Sequence, residues 1–259
     1  MQIKIDDTKK ANIFCEIIKK FRLFTSSIVF LIDKEKFYIQ SMDSAHVVVL
    51  ELQLPSSWFT CFEVDEESSL QLGIDTMIIS KILSVKADKQ FIRLYTEKED
   101  KLGIDFCGGD EDFNRFFEIP LMDIDSELLG IPESDYDVTF VMDSKKFKAI
   151  VDDFACFDND IITFSCDESF TRMMTSGMDG DIQVEVPPDK IPLYEITEGC
   201  TVTSSYNLSF LQKMVQFTKT SSYIQLQVSA NFPLEVKYNL CELNKECFLR
   251  FYIAPSIDD

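Results

Sequence analysis

One histidine, one tryptophan and no C-x-x-C pair mark a chain of 259 residues. With His46 as the sole imidazole, a zinc centre has little to build on, since such centres need cysteine and histidine at short spacings. The eight cysteines (15, 61, 107, 156, 166, 200, 241 and 247) are scattered, and most of them read as small buried hydrophobes in a reducing compartment. No apolar run is long enough to span a bilayer, and no charged-then-apolar leader opens at Met1. The Gly-rich stretch 107–110 (CGGD) lacks the Lys-Ser/Thr of a phosphate loop. Ser41, Asp43 and His46 form a triad on paper, but residues this close in sequence seldom project into triad geometry. The acidic pairs Asp123/Asp125, Asp179/Asp181 and Glu66/Glu67 read as solvated loops. No catalytic residue, metal site or cofactor is expected. What the chain has is phenylalanine, 23 in all, and length enough to bury one large or two modest domains.

The apolar pattern repeats. At an offset of 133, Phe14 falls on Phe147, Ile17 on Ile150, Ile18 on Val151, Phe21 on Phe154, Phe24 on Phe157 and Phe37 on Phe170. After the loss of one residue the match continues at 132: Ile78 on Phe210, Ile82 on Met214, Ile92 on Ile224, Leu94 on Leu226 and Phe116 on Phe248. One offset that slips once and holds over whole segments points to two tandem domains of like fold. Each half divides again. Periodicity predicts a strand at Ile3 and Ile5, a helix over 9–22 and strands over 27–32, 37–41 and 47–54. The order recurs as 58–64, helix 75–86, 91–96, 102–107 and 114–122. It recurs as 138–141, helix 144–154, 161–166, 170–175 and 182–186, and as 201–205, helix 207–219, 223–228, 234–240 and 248–254. Strand–helix–strand–strand–strand, four times over with short connections, predicts an α+β fold of antiparallel meanders. The acidic segment 122–136, broken by Gly130 and Pro132, reads as an extended linker between a domain at 1–121 and one at 137–259.

The net charge of −20 argues against a nucleic-acid partner until it is mapped. The helix windows 9–22, 76–86, 144–154 and 207–219 hold twelve Lys or Arg against three acids, Glu16, Asp152 and Asp153, a net +9. The rest holds 13 against 42, a net −29. Four basic helices in a chain this acidic point to a shared surface facing a polyanion.

The segment 40–47 (QSMDSAHV) resembles a signature of the proliferating cell nuclear antigen family of DNA sliding clamps. So do 72–75 (LGID) with 80–83 (SKIL), 121–125 (LMDID) with 129–132 (LGIP), and the closing 251–257 (FYIAPSI). The resemblance runs end to end. It implies a homotrimeric ring with helices lining the hole and antiparallel sheets outside, encircling double-stranded DNA without sequence preference. By helical phase and family position, Lys20, Arg22, Lys81, Lys148, Lys213 and Lys219 are expected to meet DNA. Subunit contacts are expected at Phe113, Phe116, Phe117, Ile182 and Val184. The resemblance also implies a cleft of Met42, His46, Val47, Leu129, Ile131, Pro132, Tyr136, Pro233, Tyr252, Ala254, Pro255 and Ile257. It would receive a Gln-aliphatic-aromatic-aromatic peptide motif from DNA polymerase, clamp loader and repair proteins, and it implies residence in the nucleus. Asp152 and Cys156 stand where relatives often carry basic residues, Asn231 where they tend to carry Asp, and Glu168 where eukaryotic relatives have a modifiable lysine. Other readings are a subunit of a checkpoint-type heterotrimeric clamp, a monomeric viral processivity factor and, further off, a hydrolase using His46.

Overall fold

The computed structural model describes residues 1–64, 69–97, 100–109, 113–124, 128–131, 135–157, 159–178, 180–241 and 244–256. The chain forms two compact units. One comprises Met1–Ser44, Glu51–Leu129 and Cys241–Phe248, the other Ala45–Leu50, Gly130–Leu240 and Leu249–Asp259.

The first unit is built from β1 (Gln2–Ile5), α1 (Thr8–Lys20), β2 (Ser27–Ile32), β3 (Lys36–Met42) and most of β4 (Val48–Pro55). It continues with β5 (Cys61–Glu63), β6 (Leu70–Asp75), α2 (Thr76–Leu83), β7 (Phe91–Tyr95), β8 (Lys101–Cys107) and β9 (Arg115–Pro120). One sheet runs β5-β1-β7-β8-β9, and a second run of strands is β6-β2-β3-β4. Strand alternation sets the register: Ile3 lies opposite Leu94 and Leu94 opposite Ile104, each at most 1% exposed. Phe14 of α1 meets Phe37 of β3 edge-on at 5.6 Å, and Phe37 meets Phe30 at 4.7 Å, so the helix closes over an aromatic core.

The second unit repeats the plan with β10 (Val138–Asp143), α3 (Ser144–Phe154), β11 (Ile161–Cys166), β12 (Thr171–Gly177) and β13 (Gly180–Val186). Then follow β14 (Leu193–Ile196), β15 (Val202–Asn207), α4 (Leu208–Met214), β16 (Tyr223–Val228), β17 (Leu234–Asn239) and β18 (Phe248–Ile253). One sheet is ordered β13-β12-β11-β15 and the other run is β14-β10-β16-β17-β18. Phe147, Val151 and Phe154 are fully buried, like Phe14 and Ile18 of α1 and Phe21 just after it.

The four α-helices of the described residues start the same way. Asp7, Asp75, Asp143 and Asn207 each precede a helix in extended conformation; each Asp accepts two backbone N–H bonds from the first turn and Asn207 accepts one, at 2.8–3.1 Å. This relieves the helix of donors it cannot satisfy itself. Both α1 and α4 end in a 3-10 turn, Phe21–Leu23 and Val215–Phe217.

Three expectations need correction. The strand that leads into α2 is β6, not 58–64. Trp58 lies in a 3-10 turn, and of 58–64 only Cys61–Glu63 forms a strand, pairing with β1. Gly73 in β6 is required by a close approach, since a Cβ there would stand 2.2 Å from the Met122 carbonyl oxygen. The capping of α2 by Asp75 sets its phase so that Thr76, Ile79, Ser80 and Leu83 face inward, leaving Ile78, a member of the repeating apolar pattern, 39% exposed. Finally, the edge strand β14, too short and too exposed to show strong alternation, stands outside the fourfold pattern.

Candidate nucleic-acid and partner interfaces

The candidate DNA contacts fall into two sets. Arg22 follows α1, Lys81 sits in the last turn of α2 and Lys219 in the loop after α4; all are exposed, without an ion pair among the described residues. The other three are held by neighbours. Lys20 lies 3.0 Å from Glu16, which Lys19 also reaches at 2.5 Å. Burial raises the Glu16 pKa, but the two lysines outweigh it and hold the carboxyl below its ordinary value. Lys148 is paired with Asp152 one turn on, at 2.8 Å, and Lys213 lies over the Phe210 ring at 4.7 Å. Such pairs contribute at most about 1 kcal/mol to stability, yet each acid cancels charge a phosphate would feel.

The candidate subunit contacts lie on two sheet edges. β9 ends the β5-β1-β7-β8-β9 sheet and β13 ends the β13-β12-β11-β15 sheet. Beside and on β9, Phe113 is 84% and Phe116 66% exposed, whereas Phe117 turns inward against Phe106 at 5.7 Å. On β13, Ile182 and Val184 are half-buried opposite Thr175 and Met173, and Asp181, Gln183 and Glu185 are exposed. An edge strand presents unpaired N–H and C=O groups, a template for another strand.

The candidate partner residues are distributed over both units. In the second unit, Ala254 donates its N–H to the Val47 carbonyl at 2.9 Å, and Ser256 donates to Ser205 at 2.8 Å, which fixes the chain after β18. The Tyr136 hydroxyl donates to the Pro233 carbonyl at 3.0 Å, and its ring meets Phe232 edge-on at 5.4 Å. Burial pushes the Tyr136 phenol well above the usual tyrosine range, so it remains a donor. Tyr252 packs under Arg250 at 5.1 Å, and Ile131 and Pro255 are half-buried. Thus Val47 and Ala254 come together, as do Tyr136 and Pro233. His46 is exposed and, with φ of 59°, holds a left-handed turn, as does Asn231 with φ of 57°. Pro132 and Ile257 lie outside the described residues.

In the first unit, the backbone of Leu129 is clamped by the Gln40 side chain. Its N–H donates to Oε1 at 2.7 Å and its carbonyl accepts from Nε2 at 3.1 Å. Met42 lies two residues beyond Gln40 on the same face of β3. Leu129, 40% exposed, is therefore an apolar side chain displayed from a held backbone, and Leu128 before it is 58% exposed. Gln40 was not among the expected site residues. Its signal is a carboxamide on the outward alternation of a strand, able to satisfy an N–H and a C=O of one residue at once.

Of the residues in the paper triad, Asp43 is 4% exposed, Ser41 half-buried and His46 exposed. Among the described residues no group of three or more His, Cys, Asp or Glu is arranged to hold a metal ion.

Two tandem domains, each of paired strand–helix–strand–strand–strand units with antiparallel sheets, make this a protein of clamp-type architecture. The profile of the proliferating cell nuclear antigen N-terminal domain matches residues 6–128, and that of its C-terminal domain matches residues 130–256. The proliferating cell nuclear antigen of Chaetomium thermophilum is 26% identical over 260 residues, covering 97% of each chain. The chain belongs to the proliferating cell nuclear antigen family.

Proposed function

We propose that this protein is the subunit of a homotrimeric DNA sliding clamp, a ring that keeps polymerases and repair proteins on duplex DNA. The observation that carries the reading is that the candidate subunit contacts fall on two sheet edges, β9 and β13, with Phe113 and Phe116 exposed beside and on the first. Two different edges on one subunit suit head-to-tail pairing, which closes into a ring when the rotation permits. The β9 edge of one subunit then pairs with β13 of the next, and Ile182 and Val184 extend a core that Phe117 already joins. A closed ring needs no strong contact with DNA, because topology retains it. Exchangeable contacts from basic side chains such as Arg22, Lys81 and Lys219 let it slide, blind to sequence and sensitive to salt. The acidic remainder repels DNA and keeps the duplex in the hole.

Partners carrying a Gln-aliphatic-aromatic-aromatic motif dock on Val47, Tyr136, Pro233, Tyr252 and Ala254 of the second unit, and Leu129 of the first unit offers such peptides an exposed apolar side chain of its own. The Ala254 N–H is committed to Val47, which leaves its carbonyl to accept from the motif's glutamine. Light scattering tests the assembly. The expected mass is about 90 kDa, three times 29.9 kDa, and Ile182→Pro or Val184→Pro yields folded monomers, since proline removes a ladder donor. A wild-type chain that stays at 30 kDa at every concentration, or that forms a ring only with other chains, contradicts a homotrimer.

A further inference from the structure

The outward positions of α3 change sign along the helix. Lys145 and Lys146 are exposed in the first turn, Ala149 is exposed in the middle, and Asp152 and Asp153 are exposed in the last turn. Lys148, the residue expected to meet DNA from this helix, is half-buried and held by both carboxylate oxygens of Asp152 at 2.8 and 2.9 Å. A phosphate approaching the end of α3 meets two acids; one approaching its start meets two lysines.

The start of α3 also has a shaped surface. A depression of about 420 Å³ lies between the first turn of α3 and the loop after α4, with Lys145 on one wall and Lys219 on the other. Its walls are fixed to each other. Ser144 donates its N–H to Ser222 at 2.9 Å and its hydroxyl to the Ser221 carbonyl at 2.7 Å, and Thr220 bonds back to Phe217 at 2.7 Å. The one acid on the depression, Asp143, accepts from the backbone N–H groups of Lys145 and Lys146, both at 2.9 Å. On the other side of Asp143 a second depression of about 540 Å³ carries Lys146 and Lys190; there the carboxylate of Glu185 is paired with Arg172 at 3.0 Å. Lys190 is itself paired with Asp189 at 3.7 Å, so the lysines of these two surfaces that have no ion pair among the described residues are Lys145, Lys146 and Lys219, all at or facing the start of α3.

We infer that the second unit holds the DNA backbone at the start of α3, with Lys145 and Lys219 bracketing a phosphate, and that Lys148 takes no part. This rests on the sliding-clamp reading and refines it: Asp152, standing where relatives often carry a basic residue, ties up Lys148, and the contact moves from Lys148 by about one helical turn towards the start of α3. Two lysines on opposed, fixed walls can approach one phosphate without ordering a loop, so little entropy is lost on contact.

Binding of the wild-type protein and of Lys145→Gln, Lys219→Gln and Lys148→Gln to a fluorescent duplex is measured across a salt series. Circular dichroism and light scattering verify that each variant folds and assembles like wild type. Lys145→Gln and Lys219→Gln should each lower the slope of log Kd against log salt by about 0.9, the loss of one phosphate contact, and Lys148→Gln should leave it unchanged. Asp152→Asn, which releases Lys148, should tighten binding. A slope lowered by Lys148→Gln and untouched by the other two overturns the assignment while leaving the clamp standing. A wild-type protein that fails to bind duplex even at low salt overturns the phosphate contact; the clamp reading itself falls only if the chain also stays monomeric in light scattering.

Discussion

Replacing Phe14 with alanine tests how the first unit is held together. Its ring is 1% exposed, stacks edge-on against Phe37 at 5.6 Å, and through Phe37 reaches Phe30 and Phe59. Truncation removes the burial of a phenyl ring, leaves a cavity that the surrounding sheet cannot fill, and breaks an aromatic pair worth about 0.5–1.5 kcal/mol. Together these give a loss of about 3–5 kcal/mol. In a unit of this size that lowers the thermal midpoint on the order of 10–15 °C. Phe147 is its equivalent in the second unit, 0% exposed on α3, and Phe147→Ala should cost a similar amount. Guanidinium titration followed by far-UV dichroism measures both. A loss below about 1 kcal/mol for either variant would show that the two phenylalanines are not the equivalent core anchors of a duplicated fold.

Other outcomes follow from the same structure. Burial pushes the thiols of Cys15 and Cys247 up to about 12 and that of Cys166 to about 11, while Cys156 is exposed. Only thiolates alkylate, so iodoacetamide at pH 8 followed by mass spectrometry should label Cys156 and spare those three until the protein unfolds. The raised values also mean that the folded state keeps protons the unfolded state loses. Stability should therefore be intact below pH 9 and fall as the pH rises from there towards 12; a stability that holds level over that range would contradict the burial. Leu129→Glu, at an exposed side chain on a clamped backbone, should abolish calorimetric binding of a Gln-aliphatic-aromatic-aromatic peptide and leave the mass of the assembly unchanged. Binding as in wild type would mean that Leu129 is no part of the partner surface.

Much of this was legible in the residues. The apolar stripe Phe147, Ile150, Val151 and Phe154 marked α3 to its final boundaries, and the runs at 161–166 and 223–228 marked β11 and β16, because local alternation and core burial agree there. Asp152 could be seen four residues after Lys148, the spacing at which a helix brings side chains together, and the ion pair followed. What escaped depends on partners remote in sequence. Gln40 holds Leu129 across 89 residues, and no local pattern encodes that. Ile78 and Ile79 are alike as letters; the Asp75 cap decides which one faces the core. Phe116 and Phe117 are likewise neighbours with opposite fates, one in solvent and one against Phe106, because β9 is an edge whose outer face has no cover. Trp58 suggested a strand because it is large and apolar, yet it is buried from a 3-10 turn, with Lys10 lying over its ring and bonded to its carbonyl.

Encirclement is the centre of the account, and retention on DNA of different topology measures it directly. Protein loaded onto a nicked circular plasmid by an ATP-driven clamp loader is washed at high salt, and the DNA is then cut at one site. Retention through the wash and release on linearisation is the predicted result, since weak phosphate contacts do not survive salt but a closed ring does. Equal retention on circular DNA and on linear DNA with unblocked ends would contradict it.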